Sequence, residues 1–156
     1  MSYNGSLAQA GRVTKLSIGG IIGASNETTY TPVGECKDAS RSGGSWGTED
    51  VSNFDSDKNE EFISTMRNNG EVSLAFNKVP SDAGQLALRA AYDDGLKRRF
   101  TIQYPAGQGQ TTGEIDTFAA LVVSVDMDTK VKSGLGLTIK LKVSGGIVTT
   151  PPVPAP

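Results

Sequence analysis

Residues 135–144, LGLTIKLKVS, place an apolar side chain at every second position. Leu135, Leu137, Ile139, Leu141 and Val143 occupy one face, and Thr138, Lys140, Lys142 and Ser144 occupy the other. A period of two is the period of an extended chain, so this segment predicts a strand with one buried face and one wet one. Such a face needs partners of the same kind. RRFTIQY (98–104) alternates Phe100, Ile102 and Tyr104 with polar neighbours, and TFAALVVSVDM (117–127) is almost continuously apolar, the pattern of a strand covered on both sides. VTKLSIGGII (13–22) sets Thr14, Leu16 and Ile18 on one face, with Gly19-Gly20 marking a bend or bulge. Pro32 removes strand character at its own position, and VGECKD (33–38) reads as a strand leading into a polar stretch.

Two further segments predict local structure. In RNNGEVSLAF, Asn69-Gly70 is the favoured pair for a tight hairpin turn, and Val72, Leu74 and Phe76 follow in clean alternation. EEFISTMR (60–67) precedes it as a strand, so a hairpin is expected from about 60 to 77. PSDAGQLALRAAYDDG (80–95) predicts one helix, with Ser81 as N-cap, Asp82 favouring the positive end of the dipole and Gly95 at the C-terminal stop. Its apolar stripe is Ala83, Leu86, Ala87 and Ala90, which places Leu86 against the sheet. Leu86 and Leu88 cannot share the centre of so narrow a stripe, so one of them reaches an inter-subunit surface. TTPPVPAP (149–156) is too rich in proline to join a sheet and predicts an extended tail.

The amino-acid totals exclude several functions. With 15 basic and 17 acidic residues there is no basic excess for gripping nucleic acid. The absence of histidine and the single cysteine, Cys36, rule out an intrachain disulfide and metal sites built on His and Cys. Cys36 is expected to be a small, strand-buried hydrophobe. Met1–Gly5 lacks the charged and apolar regions of a signal peptide, and no run is long enough for a membrane span, so the chain reads as soluble and made in a cytoplasm. The apolar fraction of 37% is low, which suits a protein that completes its burial in an assembly.

Candidate chemistry is sparse. Asp55-Ser-Asp57-Lys-Asn59 begins like a calcium loop, but Glu60 and Met66 stand where that loop needs Gly and a bidentate Glu, so a solvated acidic stretch is the better reading. The carboxylate pairs Asp93/Asp94, Glu60/Glu61 and Asp126/Asp128 are the material of a glycosidase, which needs two carboxyls facing each other across a cleft, but with no histidine and few cleft-forming aromatics a hydrolase is the minor reading. AGQGQTTG (106–113) lacks the Lys-Ser/Thr ending of a phosphate loop and predicts a hairpin connection. LKRR (96–99) is a solvated edge or a source of subunit salt bridges. No catalytic, cofactor-binding or metal residue is assigned, and no enzyme is expected.

One segment stays unexplained by these patterns. SRSGGSWGTEDVSNFDSDKNEE (40–61) is polar, irregular and carries the sole tryptophan, Trp46. Segments of that length without structure of their own are usually functional or disordered.

From residue 51 to 147 the chain resembles the major tail tube proteins of long-tailed, non-contractile bacteriophages. The resemblance is carried, in order, by DVSNFDSDKNEEF, by NNGEVSLAFN, by VPSDAGQLALRAAYDDG with its Gly-Gln-x-x-Leu core, and by RRFTIQYPAGQ, GEIDTFAALVVSVDMDTKV and GLGLTIKLKVSGGI. It implies a mainly β (α+β) fold, an antiparallel β-sandwich or barrel with one flanking α-helix, over residues 1–147, followed by a Pro-rich tail at 148–156. It implies six-membered rings stacked into a hollow virion tube, through which DNA passes without specific binding. The expected partners are further copies of the chain and tape-measure, tail-tip and tail-terminator proteins, with assembly in the host bacterial cytoplasm and no membrane anchor. Residues 39–59 then read as an assembly arm, with Ser42, Gly43 and Gly44 as its flexible tip and Trp46, Val51 and Phe54 as its anchors. The plain alternative for Trp46 is packing back on its own domain. Glu61, Glu71, Asp116 and Asp126 are expected to face the lumen, against the alternative that they face solvent or pair with Lys140 and Lys142. The competing functions are a monomeric β-sandwich adhesin using 40–61 for recognition, and the tube of a contractile injection machine.

Overall fold

The alternating segments form a single antiparallel sheet. The computed structural model describes residues 14–129 and 134–154, so the reading of Met1–Gly5 lies outside the described residues. The strands are β1 (Lys15–Ile21), β2 (Thr31–Val33), β3 (Cys36–Ser42), β4 (Ser45–Asp50), β5 (Phe62–Asn68), β6 (Glu71–Asn77), β7 (Arg98–Gln103), β8 (Gln110–Thr112), β9 (Ile115–Asp128), β10 (Gly136–Thr150) and β11 (Val153–Pro154), with one helix, α1 (Ala83–Asp94). Seven strands join in the order β2-β1-β7-β9-β10-β6-β3, while β4 with β5 and β8 with β11 form separate two-stranded pairs.

The large sheet curls. In a flat sheet β1 and β6 would stand roughly 19 Å apart, four spacings of about 4.8 Å. Yet Leu16 of β1 and Val72 of β6 line one cavity together with Ile102 of β7, and the inward side chains of β1, β6, β7, β9 and β10 form one buried cluster. Phe76, Phe100 and Phe118 fill its centre, the last two with ring centroids 5.9 Å apart. Leu137, Ile139, Leu141 and Val143 are all buried, as their spacing predicts. β1 slips register between Ile18 and Ile21, where Gly19-Gly20 lie. The 106–113 segment links β7 to β9, which pair antiparallel, so it is a hairpin connection.

Several expectations are corrected. Pro32 does lie in a strand, the short edge strand β2, opposite Ser17. An edge tolerates it because its missing N–H faces away from a partner. The chain then breaks at Glu35, which has a positive φ of 60°, so 33–38 is two strands. β9 is buried on one face only: Phe118, Ala120 and Val122 point inward, whereas Val123 is 47% exposed. β10 runs to Thr150, and Val153 pairs with Thr112, so part of the proline-rich stretch does join a sheet. Pairing at a two-residue edge needs few backbone donors, which proline can spare.

The helix is rotated by one residue from expectation, about 100°. Its N-cap is Asp82 and not Ser81, because the Asp82 carboxylate accepts from the Gln85 N–H at 3.0 Å and also from the Gly34 N–H at 3.2 Å. Gly84, Gln85, Leu88 and Ala91 are buried, and Leu86 is 51% exposed. Gly84 is required, because a Cβ there would stand 2.4 Å from the Pro32 carbonyl oxygen. Gln85 is buried without penalty because its amide donates to the carbonyls of Gly34 and Asn77 and accepts from the Val79 N–H. A stripe counted by hydrophobicity alone misses a glycine that supplies space and a glutamine that is fully satisfied.

Candidate assembly interface

The polar segment is not irregular. β3 pairs with β6 through Arg41↔Val72 and Ser42↔Glu71, and β4 pairs with β5 through Ser45↔Asn68 and Trp46↔Arg67. The register carries straight through, so 36–50 and 62–77 are the two limbs of one long antiparallel ribbon. The hairpin predicted at Asn69-Gly70 does not form: β5 and β6 are consecutive stretches of the same limb, and the chain reverses at 51–61 instead. Asn69-Gly70 and Gly43-Gly44 face each other and bend the ribbon. Gly43 and Gly70 both have a φ of +82°, and a Cβ on Gly70 would lie 1.9 Å from the Ser42 carbonyl oxygen. Only glycine allows that backbone approach. Ser42, Gly43 and Gly44 are therefore the root of the arm and not its tip.

Beyond the bend the ribbon leaves the barrel. Asn69 donates to the Gly145 carbonyl, and the Val143 N–H donates to the Gly70 carbonyl, which ties the bend to β10. Arg41, just before it, lies 3.6 Å from Asp116. Asp116 is buried and also accepts from Tyr104 Oη at 3.1 Å and Thr149 Oγ1 at 2.8 Å. Burial, with Asp116 as neighbour, pushes the Tyr104 hydroxyl above its ordinary pKa. Asp116 thus braces the arm's root, and its carboxyl is enclosed by its own partners instead of standing exposed on a strand face as a lumen-lining group would. Glu61 lies in the arm's tip. Glu71 and Asp126 are exposed on the outer side of the β6–β10–β9 face, where Glu71 sits opposite Lys142 and Asp126 opposite Thr138.

The arm itself comprises β4, β5 and the 51–61 tip, and its strands alone reach about 20 Å at some 3.3 Å per residue. Every residue of β4 and β5 is exposed. Trp46 is 56% exposed, Phe62 54%, Met66 85% and Phe54 fully exposed. The Arg67 guanidinium stands 5.5 Å from the centre of the Trp46 ring, so Trp46 packs on the arm and not on the barrel. The tip is ordered by its own polar groups. Ser56 Oγ donates to Glu61 at 2.6 Å, the Glu61 N–H donates to Ser52 Oγ at 2.8 Å, and Asn53 Oδ1 accepts from the Asp55 N–H at 2.8 Å. Hydrogen bonds from Ser52 hold the Asp50 carboxyl below its ordinary pKa. Polar groups are thus occupied internally while the apolar ones are presented outward.

Phe62, Ile63 and Met66 were missed by the sequence reading, which assigned 60–67 to the domain. A signal was present: Phe62 and Ile63 are adjacent, so the segment has apolar groups on both faces, unlike the clean alternation of 71–76. Among the described residues no group of three or more His, Cys, Asp or Glu is placed to hold a metal. No helix among them is long and apolar enough to cross a membrane.

Among curated proteins none matches this sequence. Solved structures do share the fold. The chain superposes on a protein in the tail of an empty gene transfer agent particle with C6 symmetry, at a TM-score of 0.68 and 17% identity, covering 92% of this chain and 99% of that one. It superposes on the SPP1 tail tube at 0.65 and 15% identity, covering 90% and 77%. The baseplate of the anti-feeding prophage contains a third match, at 0.66 and 14%, covering 97% and 98%. At these identities the likeness is one of fold. The sequence match is more specific: residues 23–149 fit the model of the lambda phage tail tube protein, and the chain belongs to that family.

Proposed function

We propose that this chain is the repeating subunit of a hollow tail tube, six copies closing a ring and rings stacking through the arm. The observation that carries this reading is the ordered β4–β5 ribbon, which leaves Trp46, Phe54, Phe62 and Met66 more than half exposed among the described residues. An isolated two-stranded ribbon is marginal in water, so its stability and its exposed apolar groups both call for neighbouring copies. A ring number of six is supported by the C6 symmetry of the gene transfer agent tail. A contact that closes by rotation builds the ring, and one that does not close extends it into a filament.

The role is architectural, with no chemistry performed on a substrate. DNA would pass through the lumen without specific contacts. Tape-measure, tail-tip and tail-terminator proteins would bind the tube's interior and ends, and assembly would take place in the host bacterial cytoplasm. The fold is shared with contractile injection machines, and the family match favours the non-contractile tail. Electron microscopy of the purified protein tests the reading: rings or long hollow tubes are expected. Monomers at every concentration, with binding to a carbohydrate surface, would favour the adhesin instead.

A further inference from the structure

Among the described residues the curled sheet does not close. β3 and β2 are its two edges, and a gap remains between β3 and the β1–β7 pair. It holds a cavity of about 230 Å³ whose floor is Leu16, Val72 and Ile102, with Cys36 in its wall and Lys37 and Arg41 at its rim. A cavity of ~150 Å³ suffices for a benzene ring, so this one has room for a phenyl group. The most exposed aromatic among the described residues is Phe54, at the arm's tip.

We propose that this seam is the receptor for the arm of a second copy of the chain, with Phe54 seated in the cavity. The proposal rests on the tube-subunit reading and specifies where one copy holds the next. Charge supports the pairing. The segment 49–61 carries Glu49, Asp50, Asp55, Asp57, Glu60 and Glu61 against Lys58 alone. The seam's neighbourhood carries Lys15, Lys37 and Arg41 against Glu35 and Asp38, with the buried Asp116 paired to Arg41. Arg41 is half-exposed even while so paired, and its guanidinium keeps a side open to an incoming carboxylate. The acidic tip is repelled from other acidic tips and would meet Lys37 and Arg41 at the cavity's rim, which favours a head-to-tail contact.

Geometry selects a second copy over the arm's own barrel. The arm leaves at the far end of β3, and pairing on both sides of the bend, Ser42↔Glu71 and Ser45↔Asn68, together with the Asn69–Gly145 tie, directs it outward. Folding back would break those pairs. A protruding group on one surface and a pocket on another make a heterologous contact, the kind that propagates. The internal hydrogen bonds of the tip mean that little ordering remains to be done on docking.

The native Cys36 in the cavity wall makes the contact directly testable. Asp55→Cys combined with Cys36→Ser gives copies whose only thiol is beside Phe54. These are mixed with unsubstituted copies, whose only thiol is Cys36, assembled, and treated with a short bis-maleimide. No copy carries both thiols, so a peptide linking positions 55 and 36 identifies an intermolecular contact, and that peptide is the expected result. Normal tubes without it would overturn the docking site while leaving the tube reading intact. Failure of the unsubstituted chain to form rings or tubes at any concentration would overturn both. In a second measurement, Phe54→Ala should raise the concentration needed for tube growth at least about tenfold, as for a buried aromatic anchor, and Phe54→Leu should raise it less. Growth of Phe54→Ala at the parental concentration would also refute the proposal.

Discussion

At the scale of single residues, exposure separates the roles that sequence had blended. Trp46 and Phe54 lie in the same polar segment, but Trp46 lies across the ribbon from Arg67 while Phe54 stands clear of everything. Trp46→Ala removes the flat surface on which the Arg67 guanidinium rests and the largest apolar group of the arm, without touching the barrel core. The expected result is a monomer with the parental unfolding midpoint that makes short tubes or none. Parental tube length in that variant would refute a role in assembly. The same residue scale shows why the contacts of Asp116 escaped sequence reading. Its partners Arg41, Tyr104 and Thr149 are distant in sequence and meet only through the sheet, so no spacing rule could have found them.

At the scale of elements, the helix and the bent ribbon each turn on residues without large side chains. Leu88 is fully buried and Leu86 half-exposed. Leu88→Ala should cost roughly 2–5 kcal/mol, and Leu86→Ala no more than about 0.5 kcal/mol in the monomer. Chemical denaturation distinguishes them, and equal losses would contradict the observed rotation of the helix. Gly70→Ala tests the bend. The new Cβ meets the Ser42 carbonyl in a left-handed backbone, so the two limbs must part there. Limited proteolysis should then cut near 43–44 and 69–70 much faster than in the parent; unchanged cleavage would mean that the bend tolerates a side chain. The motif Gly84-Gln85-x-x-Leu88, carried by the resemblance, matched the buried helix face. The apolar stripe did not, because periodicity scores side-chain type and is blind to satisfied amides and to space.

At the scale of the whole molecule, the outer β6–β10–β9 face is the surface on which two of the lumen candidates are exposed together. It carries Glu71 and Asp126 but also Lys140 and Lys142, and Glu71 lies directly across from Lys142. A ring would repeat each exposed charge around the channel, so one sign change per subunit becomes a ring of changes. If Glu71 and Asp126 line the lumen, replacing either with Lys should leave tube assembly near normal and slow DNA ejection, measured separately in a phage. Parental ejection from both variants would place these carboxylates elsewhere.

The strands of the barrel were legible because each buries one face, and a period of two records that burial locally, as in 71–76, 98–104 and 135–144. The helix was legible from its ends, Gly95 stopping it as expected, although the cap was assigned to Ser81 and is Asp82. What tertiary structure alone decided was which strand pairs with which. Asn69-Gly70 has the composition of a tight turn, yet β5 cannot fold back on β6 when both edges of β6 are already taken, by β3 on one side and β10 on the other. The turn chemistry was therefore spent on a bend, and the reversal moved to 51–61. The 40–50 limb looked structureless because β4 buries nothing within its chain and leaves no periodic trace in the sequence. β5 did read as a strand, and only its partner was misassigned, from β6 to β4.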